Sequence, residues 1–378
     1  MPSRNRLYQT ISKQNYVYYS GKDHVGNIDF LLQEIDLHDK FLFIIDCFSF
    51  HDRDSDGNFL PFDVYPDIQQ YQKSASENNL KFIVIFEMLP EAPSYRHNLK
   101  FHIDDISQNC NIPTNEMIIY SGAHHQFDEP IRFATDFSVF FGDYPLKDSA
   151  ATILPTHHFV SLVRLIRTHR IAATVDILDR NLQKYGIISF GSGYQQLNPI
   201  ELAMIPDRYK NTFPLYIDGF VPVNHAFQHY GTLDEMKTAF INIVHETSFD
   251  HDFHYNGFSH LTWSLPFYTE KTVKPFAWGQ VPIFIALKDH DVFLREKGLD
   301  LFDDIIDQSY NQESDPHIRI KKAIDELEKI CNWPIEKWAQ YKQDNINRFI
   351  KNREIITKMT SGRTGLSIEN LKKVLDTY

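Results

Sequence analysis

Short apolar runs alternate with polar, helix-compatible segments along most of this chain. Four runs in the first part are apolar at nearly every position, a pattern typical of strands that are covered on both faces. They read FLFIID (41–46), KFIVIFE (81–87), EMIIYSG (116–122) and FSVFFGD (137–143). Polar stretches such as residues 66–78 separate them. The alternation predicts an open α/β domain with a largely parallel sheet.

A second α/β series follows a proline-containing break at residues 144–156, which suits an interdomain linker. Its predicted strands are 158–164, 187–190, 214–220, 241–247 and 282–287. A helix is predicted over 168–186 with Gly186 as its stop, and another before Gly279. The chain is helical in pattern from Pro316, with an interruption at Pro334. We therefore predict domains at 1–150 and 151–330, and terminal helices at 331–378 that could pack back on the first domain.

Composition and charge narrow the function classes. A hydrophobic content of 42% and a charged content of 23% are ordinary for a soluble globular protein. The formal net charge of −12 counts against a protein that binds nucleic acid by neutralising many phosphates. Three scattered cysteines form neither a disulfide framework nor a metal pattern. No signal peptide and no apolar run of membrane-spanning length is visible, so we expect a cytoplasmic location.

The stretch YTEKTVKPFAWGQVPIFIA (268–286) carries the most specific chemistry in the chain. Thr269 or Thr272 could cap a helix whose free N–H groups and dipole suit a phosphate. Lys271 and Lys274 would add positive charge, and Glu270 could accept hydrogen bonds from ribose hydroxyls. The competing interpretation is a surface helix with solvated charges.

An arginine-rich segment, RLIRTHR (164–170), lies at the start of the second series. Arg164 ends a predicted strand and Arg170 lies in the first turn of the next helix. Both could stabilise the charge that develops on a departing nucleoside phosphate. They could equally be surface arginines that pair with Asp176 or Asp179. His169 could bind phosphate or only cap the helix.

These segments together resemble the donor site of GT-B glycosyltransferases. TEKT opening a helix before VPIF is similar to the donor motif of fucosyltransferases, and more closely to phage and bacterial putative glycosyltransferases of the TEKT-x-KP type. IVHET (243–247) and R-x-x-R-x-H-R (164–170) match two further pieces, so the resemblance covers roughly residues 158–310. The two α/β series and the helical tail predict two facing Rossmann-like domains, and the resemblance implies a nucleotide-sugar donor on the second of them. The implied donor-binding residues are Arg164, Arg167, His169, Arg170, Glu246, Thr247, Thr269, Glu270, Lys271 and Lys274.

The resemblance implies that the first domain binds the acceptor and supplies a general base for its hydroxyl. Glu87 directly follows the apolar run of a predicted strand and is the first choice, with Asp46 next. Asp128 and the pair His124 and His125 are the further candidates. Each of them could instead simply cap a loop. The acceptor would be a surface or capsular glycan, or a modified phage DNA base, which the net charge disfavours.

An acidic loop keeps one function of another class open. Asp52, Asp54, Asp56 and Asp63 have the spacing of a calcium loop. The last position is Asp rather than Glu, and a predicted strand rather than a helix precedes it, so we interpret it as a flexible loop. We expect the transfer chemistry to need no metal. The alternative function is a non-catalytic, calcium-dependent carbohydrate-binding protein.

Overall fold

The computed structural model of the chain describes residues 9–11, 16–19, 37–46, 65–88, 95–121, 132–135, 150–163, 166–191, 199–213, 215–216, 237–247, 249–250, 253–259, 268, 270–360 and 366–377. The chain forms two compact units, Met1–Gly142 together with Ser361–Tyr378, and Asp143–Thr360. The predicted domains end at residues 150 and 330, whereas the units divide after Gly142 and after Thr360.

The first unit contains a six-stranded sheet whose strands lie in chain order. They are β1 Gln9–Ile11, β2 Tyr16–Tyr19, β3 Lys40–Asp46, β4 Lys81–Met88, β5 Met117–Ser121 and β6 Arg132–Thr135. All neighbouring pairs are parallel except β1 with β2. The described strands therefore show no reversal of order of the kind that a doubly wound sheet carries.

Two helices of the first unit connect the parallel strands. They are α1 Tyr65–Glu77 and α2 Tyr95–Cys110. Ile68 of α1 and Ile103 of α2 are buried with Phe43, Val84 and other apolar strand residues in one core. Consecutive residues of β3 and β4 are buried, so both faces of these strands are covered. This explains why both strands are apolar at nearly every position. The predicted parallel α/β character of this unit is confirmed.

The second unit contains a five-stranded sheet and a separate small hairpin. The strands of the sheet are β7 His157–Val163, β8 Gly186–Phe190, β9 Leu215–Tyr216, β10 Ala239–His245 and β13 Val281–Ile285, and the hairpin consists of β11 His254–Tyr255 and β12 Phe258–Ser259. The strand order in the sheet is β13-β10-β7-β8-β9. Only β9 is antiparallel to its neighbour. Strand β7 continues through a helix to β8 on one side, whereas β10 continues to β13 on the other. The strand order therefore reverses between β7 and β10.

The described part of the second unit contains seven α-helices, and one further helix near the C-terminus belongs to the first unit. The seven are α3 Thr168–Asp179, α4 Pro199–Met204, α5 Glu270–Trp278, α6 His290–Glu296, α7 Pro316–Cys331, α8 Ile335–Asp344 and α9 Ile346–Thr360, and the eighth is α10 Leu366–Leu375. Helix α3 packs against α7, α5 packs on β10, β13 and α9, and α10 packs on β6. No helix in the described part of the chain is long and apolar enough to cross a membrane.

Gly279 ends α5 as the sequence predicts. Its φ of +64° lies in the left-handed region, and a Cβ atom there would come within 2.5 Å of the Ala151 Cα atom. The N–H groups of Gly279 and Gln280 donate to the carbonyls of Phe276 and Pro275, which closes the helix with a Schellman motif. The chain then turns directly into β13, so both the left-handed conformation and the close approach favour glycine.

Gly186 does not end a helix, so that prediction is wrong. Helix α3 ends at Asp179, and Asn181 takes the left-handed conformation with a φ of +57°. Gly186 is extended and begins β8, where a Cβ atom would come within 2.6 Å of the Phe159 ring. The glycine is explained by this close approach to β7 rather than by helix termination. The predicted strand at 137–143 lies outside the described residues.

Candidate functional site

The carboxyl ends of β7 and β10 meet where the strand order of the second sheet reverses. Ligands of open α/β sheets bind in the crevice at such a switch point, just beyond the strand ends. Helix α3 begins at Thr168 after β7, and the segment that leads to α5 begins at Glu246 after β10. Those predicted donor-binding residues that the structure describes therefore gather at one edge of one sheet.

Glu246 is the centre of a buried polar network at this edge. Its side chain is fully buried, with Oε1 accepting from the Thr272 hydroxyl at 2.6 Å and Oε2 from the Thr247 N–H at 2.9 Å. The Glu246 N–H donates to the carbonyl of Ile285 at the end of β13. One residue thus connects β10, β13 and the first turn of α5.

The Glu246 carbonyl joins α3 to the same network. It accepts from His169 Nε2 at 3.0 Å and from Arg170 Nη2 at 2.9 Å, which matches the two lone pairs of a carbonyl oxygen. Both donors are buried, and the His169 ring also stacks on Phe249 with centroids 4.7 Å apart. His169 therefore does not cap α3 with its side chain. Its Nε2 atom is committed to the protein backbone, as is the Nη2 atom of Arg170.

Thr272 lies inside α5 and does not cap it, because the helix begins at Glu270. Its hydroxyl contacts both Glu246 and His290 Nε2, the second at 2.9 Å. The Thr272 hydroxyl donates its proton to Glu246 Oε1, so its oxygen accepts from His290 Nε2. The His290 ring stacks on Tyr268, whose hydroxyl donates to the His290 carbonyl at 3.1 Å.

Burial keeps the imidazoles of this network neutral. It lowers the pKa of His290 to about 4 although the Glu246 charge acts in the opposite direction. Burial and then the Arg170 charge lower the pKa of His245 to about 3 and hold the pKa of His169 well below its usual range. His245 contacts Ser161 through Nε2 at 2.9 Å. Around neutral pH the fixed positive charge at this edge therefore comes from arginine and lysine.

Three cations remain partly exposed around the network. Arg167 occupies the position before the first turn of α3 and makes no side-chain capping bond. Lys271 donates to the Thr247 hydroxyl at 3.3 Å, and Lys274 lies 6.0 Å from the centre of the Trp278 ring, one turn further along α5. Lys274 thus extends along the helix, whereas Lys271 joins the cluster. Arg167, Lys271 and Lys274 together form a positive rim beside the buried polar network.

The candidate bases of the first unit include one close pair. Asp46 and Glu87 end apolar runs on β3 and β4 and are direct partners in the parallel register. Tyr120 occupies the same row on β5. Neighbouring strands lie about 4.8 Å apart, so the two acidic residues are adjacent along this sheet edge. The two candidate bases are therefore neighbours in the sheet.

Several predicted residues lie outside the described part of the chain. These are Arg164, Thr269, the base candidates His124, His125 and Asp128, and the acidic loop Asp52, Asp54, Asp56 and Asp63. For three more predicted residues, only the backbone is described. They are Glu270, the first residue of α5, and the base candidates Asp46 and Glu87. Among the described residues, no group of three His, Cys, Asp or Glu side chains could hold a metal ion.

Sequence reasoning overlooked three members of the network. His290, Ser161 and Phe249 carry no motif, and they reach the site only through contacts between distant segments. The sequence indicates Thr272 only as a possible helix cap, although its place in TEKT points to the site.

No protein-family model matches the chain, and no curated protein or solved structure matches it significantly.

Proposed function

We propose that this protein is a GT-B-type glycosyltransferase that moves a sugar from a nucleotide-sugar donor to an acceptor hydroxyl. The observation that carries the proposal is the convergence of three separate sequence segments at the switch point of the second sheet. Arg167 to Arg170, Glu246 with Thr247, and Lys271 with Thr272 come together there.

The chemistry of the rim suits the leaving group of glycosyl transfer. A nucleoside diphosphate departs with increasing negative charge, which nearby arginine, lysine and free helix N–H groups stabilise. Arg167 and Lys271 flank the N-terminal turns of α3 and α5, which supply the N–H groups. In this proposal the positive rim neutralises the departing phosphates without a metal ion in the transfer step.

The buried network has a separate role in the proposal. Glu246, Thr272, His169 and Arg170 hold the two helix ends in one arrangement and do not themselves face solvent. Such preorganisation supplies transition-state stabilisation without reorganisation during the reaction. The first unit would bind a glycan, or a modified DNA base, with Glu87 or Asp46 as the general base.

We expect Lys271→Ala to weaken binding of the donor nucleoside diphosphate by about tenfold or more, because it removes a charge-assisted contact to phosphate. The matched control is Lys184→Ala, which removes an exposed lysine just before β8, at the amino end of that strand. Calorimetric titration with UDP, GDP, CDP and ADP measures both variants. Equal affinities for the two variants and the wild-type protein would contradict the proposed site.

A further inference from the structure

Arg319 is the largest fully buried side chain of the described residues, and it lies close to the proposed donor site. It is the fourth residue of α7, whose N-terminus is capped by the Asp315 carboxylate. Its exposed fraction is 1%, and arginine side chains are rarely buried to this extent unless they are paired. A guanidinium buried to this extent needs partners for its donors, and those partners show what it holds together.

The guanidinium joins three loops at the carboxyl edge of the second sheet. Its Nε atom donates to the carbonyl of Ala286 after β13 at 3.2 Å. Its two remaining nitrogens donate to the carbonyl of Glu313 and to the carboxylate of Asp250, which lies after β10. Because the planar fork donates in fixed directions, these bonds set the relative positions of the loops.

The same guanidinium packs against the aromatic ring that supports His169. Its carbon lies 5.2 Å from the centre of the Phe249 ring, and Phe249 stacks on His169 with an interplanar angle of 11°. Phe253 contacts Phe249 edge-on, so the ring is held by several neighbours. A continuous series of contacts thus runs from Arg319 through Phe249 and His169 to the Glu246 carbonyl.

We infer that Arg319 is a positioning residue of the donor site, which holds Phe249 and through it His169 against the end of β10. Only the expected effect of Arg319 on nucleotide binding rests on the proposed function. The placement of His169 is a separate consequence that needs no ligand. Arg319 itself touches no group that we assign to the donor.

The test compares two arginines that both connect separate segments of the second unit. Arg180 lies just after α3 and pairs with Asp176, Asp325 and Glu328, which ties it to α7. Arg319→Met and Arg180→Met should both lower the melting temperature. Only Arg319→Met should weaken nucleoside diphosphate binding, by about tenfold, while Arg180→Met stays within twofold.

A spectroscopic measurement follows His169 directly. In histidine-labelled protein, the His169 ring signal is identified by its loss in His169→Gln and should be shifted upfield by the Phe249 ring. We expect that shift to disappear in Arg319→Met, to be partly kept in Arg319→Lys, and to persist in Arg180→Met. Phe249→Leu removes the ring itself and gives the reference position of the signal without any ring shift.

An unchanged His169 signal in Arg319→Met, or an equal change in Arg180→Met, would overturn the positioning role. If the wild-type protein binds no nucleotide, the proposed function fails, and the histidine signal still decides the role of Arg319. If Arg319→Met does not fold, Arg319→Lys provides the same comparison with a smaller change, because it keeps the Phe249 ring that shifts the signal.

Discussion

Replacing Thr272 with valine should lower the free energy of unfolding of the second unit by about 2–4 kcal/mol. Valine has nearly the same shape and helix propensity as threonine, so the change removes little more than the hydroxyl. Without it, Glu246 Oε1 loses its donor and His290 Nε2 loses its acceptor, and both groups are buried. Donor binding should weaken in parallel, because Glu246 connects both helix ends.

Thr272→Ser is the matched control for this prediction. Serine keeps the hydroxyl and loses one methyl group, which costs about 1 kcal/mol. All four tryptophans, at positions 263, 278, 333 and 338, belong to the second unit, so urea unfolding followed by tryptophan fluorescence reports on that unit. Equal losses for the valine and serine variants would show that the hydroxyl is not structurally important.

Replacing Lys342 with methionine should stabilise the second unit by about 3–5 kcal/mol at pH 7. The Lys342 side chain is 1% exposed, and no described residue accepts a hydrogen bond from its Nζ atom. The amino group lies 5.3 Å from the centre of the Phe349 ring. Burial alone lowers the pKa of Lys342 to about 7, so the folded protein binds a proton there less readily than the unfolded chain.

The sign of the pH dependence follows from that difference. Between pH 7 and about 10.5 the unfolded chain holds the Lys342 proton and the folded protein does not, so the stability of the wild-type protein rises with pH. The advantage of the methionine variant should therefore shrink to about 2 kcal/mol at pH 9. Lys351→Met, at an exposed position on α9, should change stability little at either pH. A constant difference between Lys342→Met and wild type across this range would contradict a neutral buried amine.

The positions of the strands were predictable because buried parallel strands are apolar at nearly every residue. Runs such as FLFIID and KFIVIFE became β3 and β4 with nearly the predicted bounds. Gly279 was predictable too, since a glycine between a helical pattern and a strand marks a left-handed cap. Gly186 has the same sequence pattern, but a glycine is needed there because the Phe159 ring on the neighbouring strand leaves no room for a Cβ atom.

The direction of the polar side chains was not predictable from the sequence. Residues just beyond a strand can face a ligand or turn back to neighbouring loops, and both choices satisfy the same local pattern. His169 and Arg170 are buried against the Glu246 carbonyl, so substituting Arg170 should cost stability as well as binding. His290 and Phe249 depend on contacts between segments that only the folded chain brings together.

We propose that the second unit binds a nucleotide-sugar donor, and a thermal-shift screen of the full chain measures that binding. The panel contains UDP-, GDP-, CMP- and dTDP-linked sugars with their nucleotides, and a separate calcium titration. We predict that one nucleotide class raises the melting temperature by several degrees at about 100-fold excess over its dissociation constant, since such binding adds about 2.7 kcal/mol. The same donor should be hydrolysed slowly without acceptor. No shift with any nucleotide would contradict a donor site, and a large shift with calcium in its place would favour a carbohydrate-binding protein.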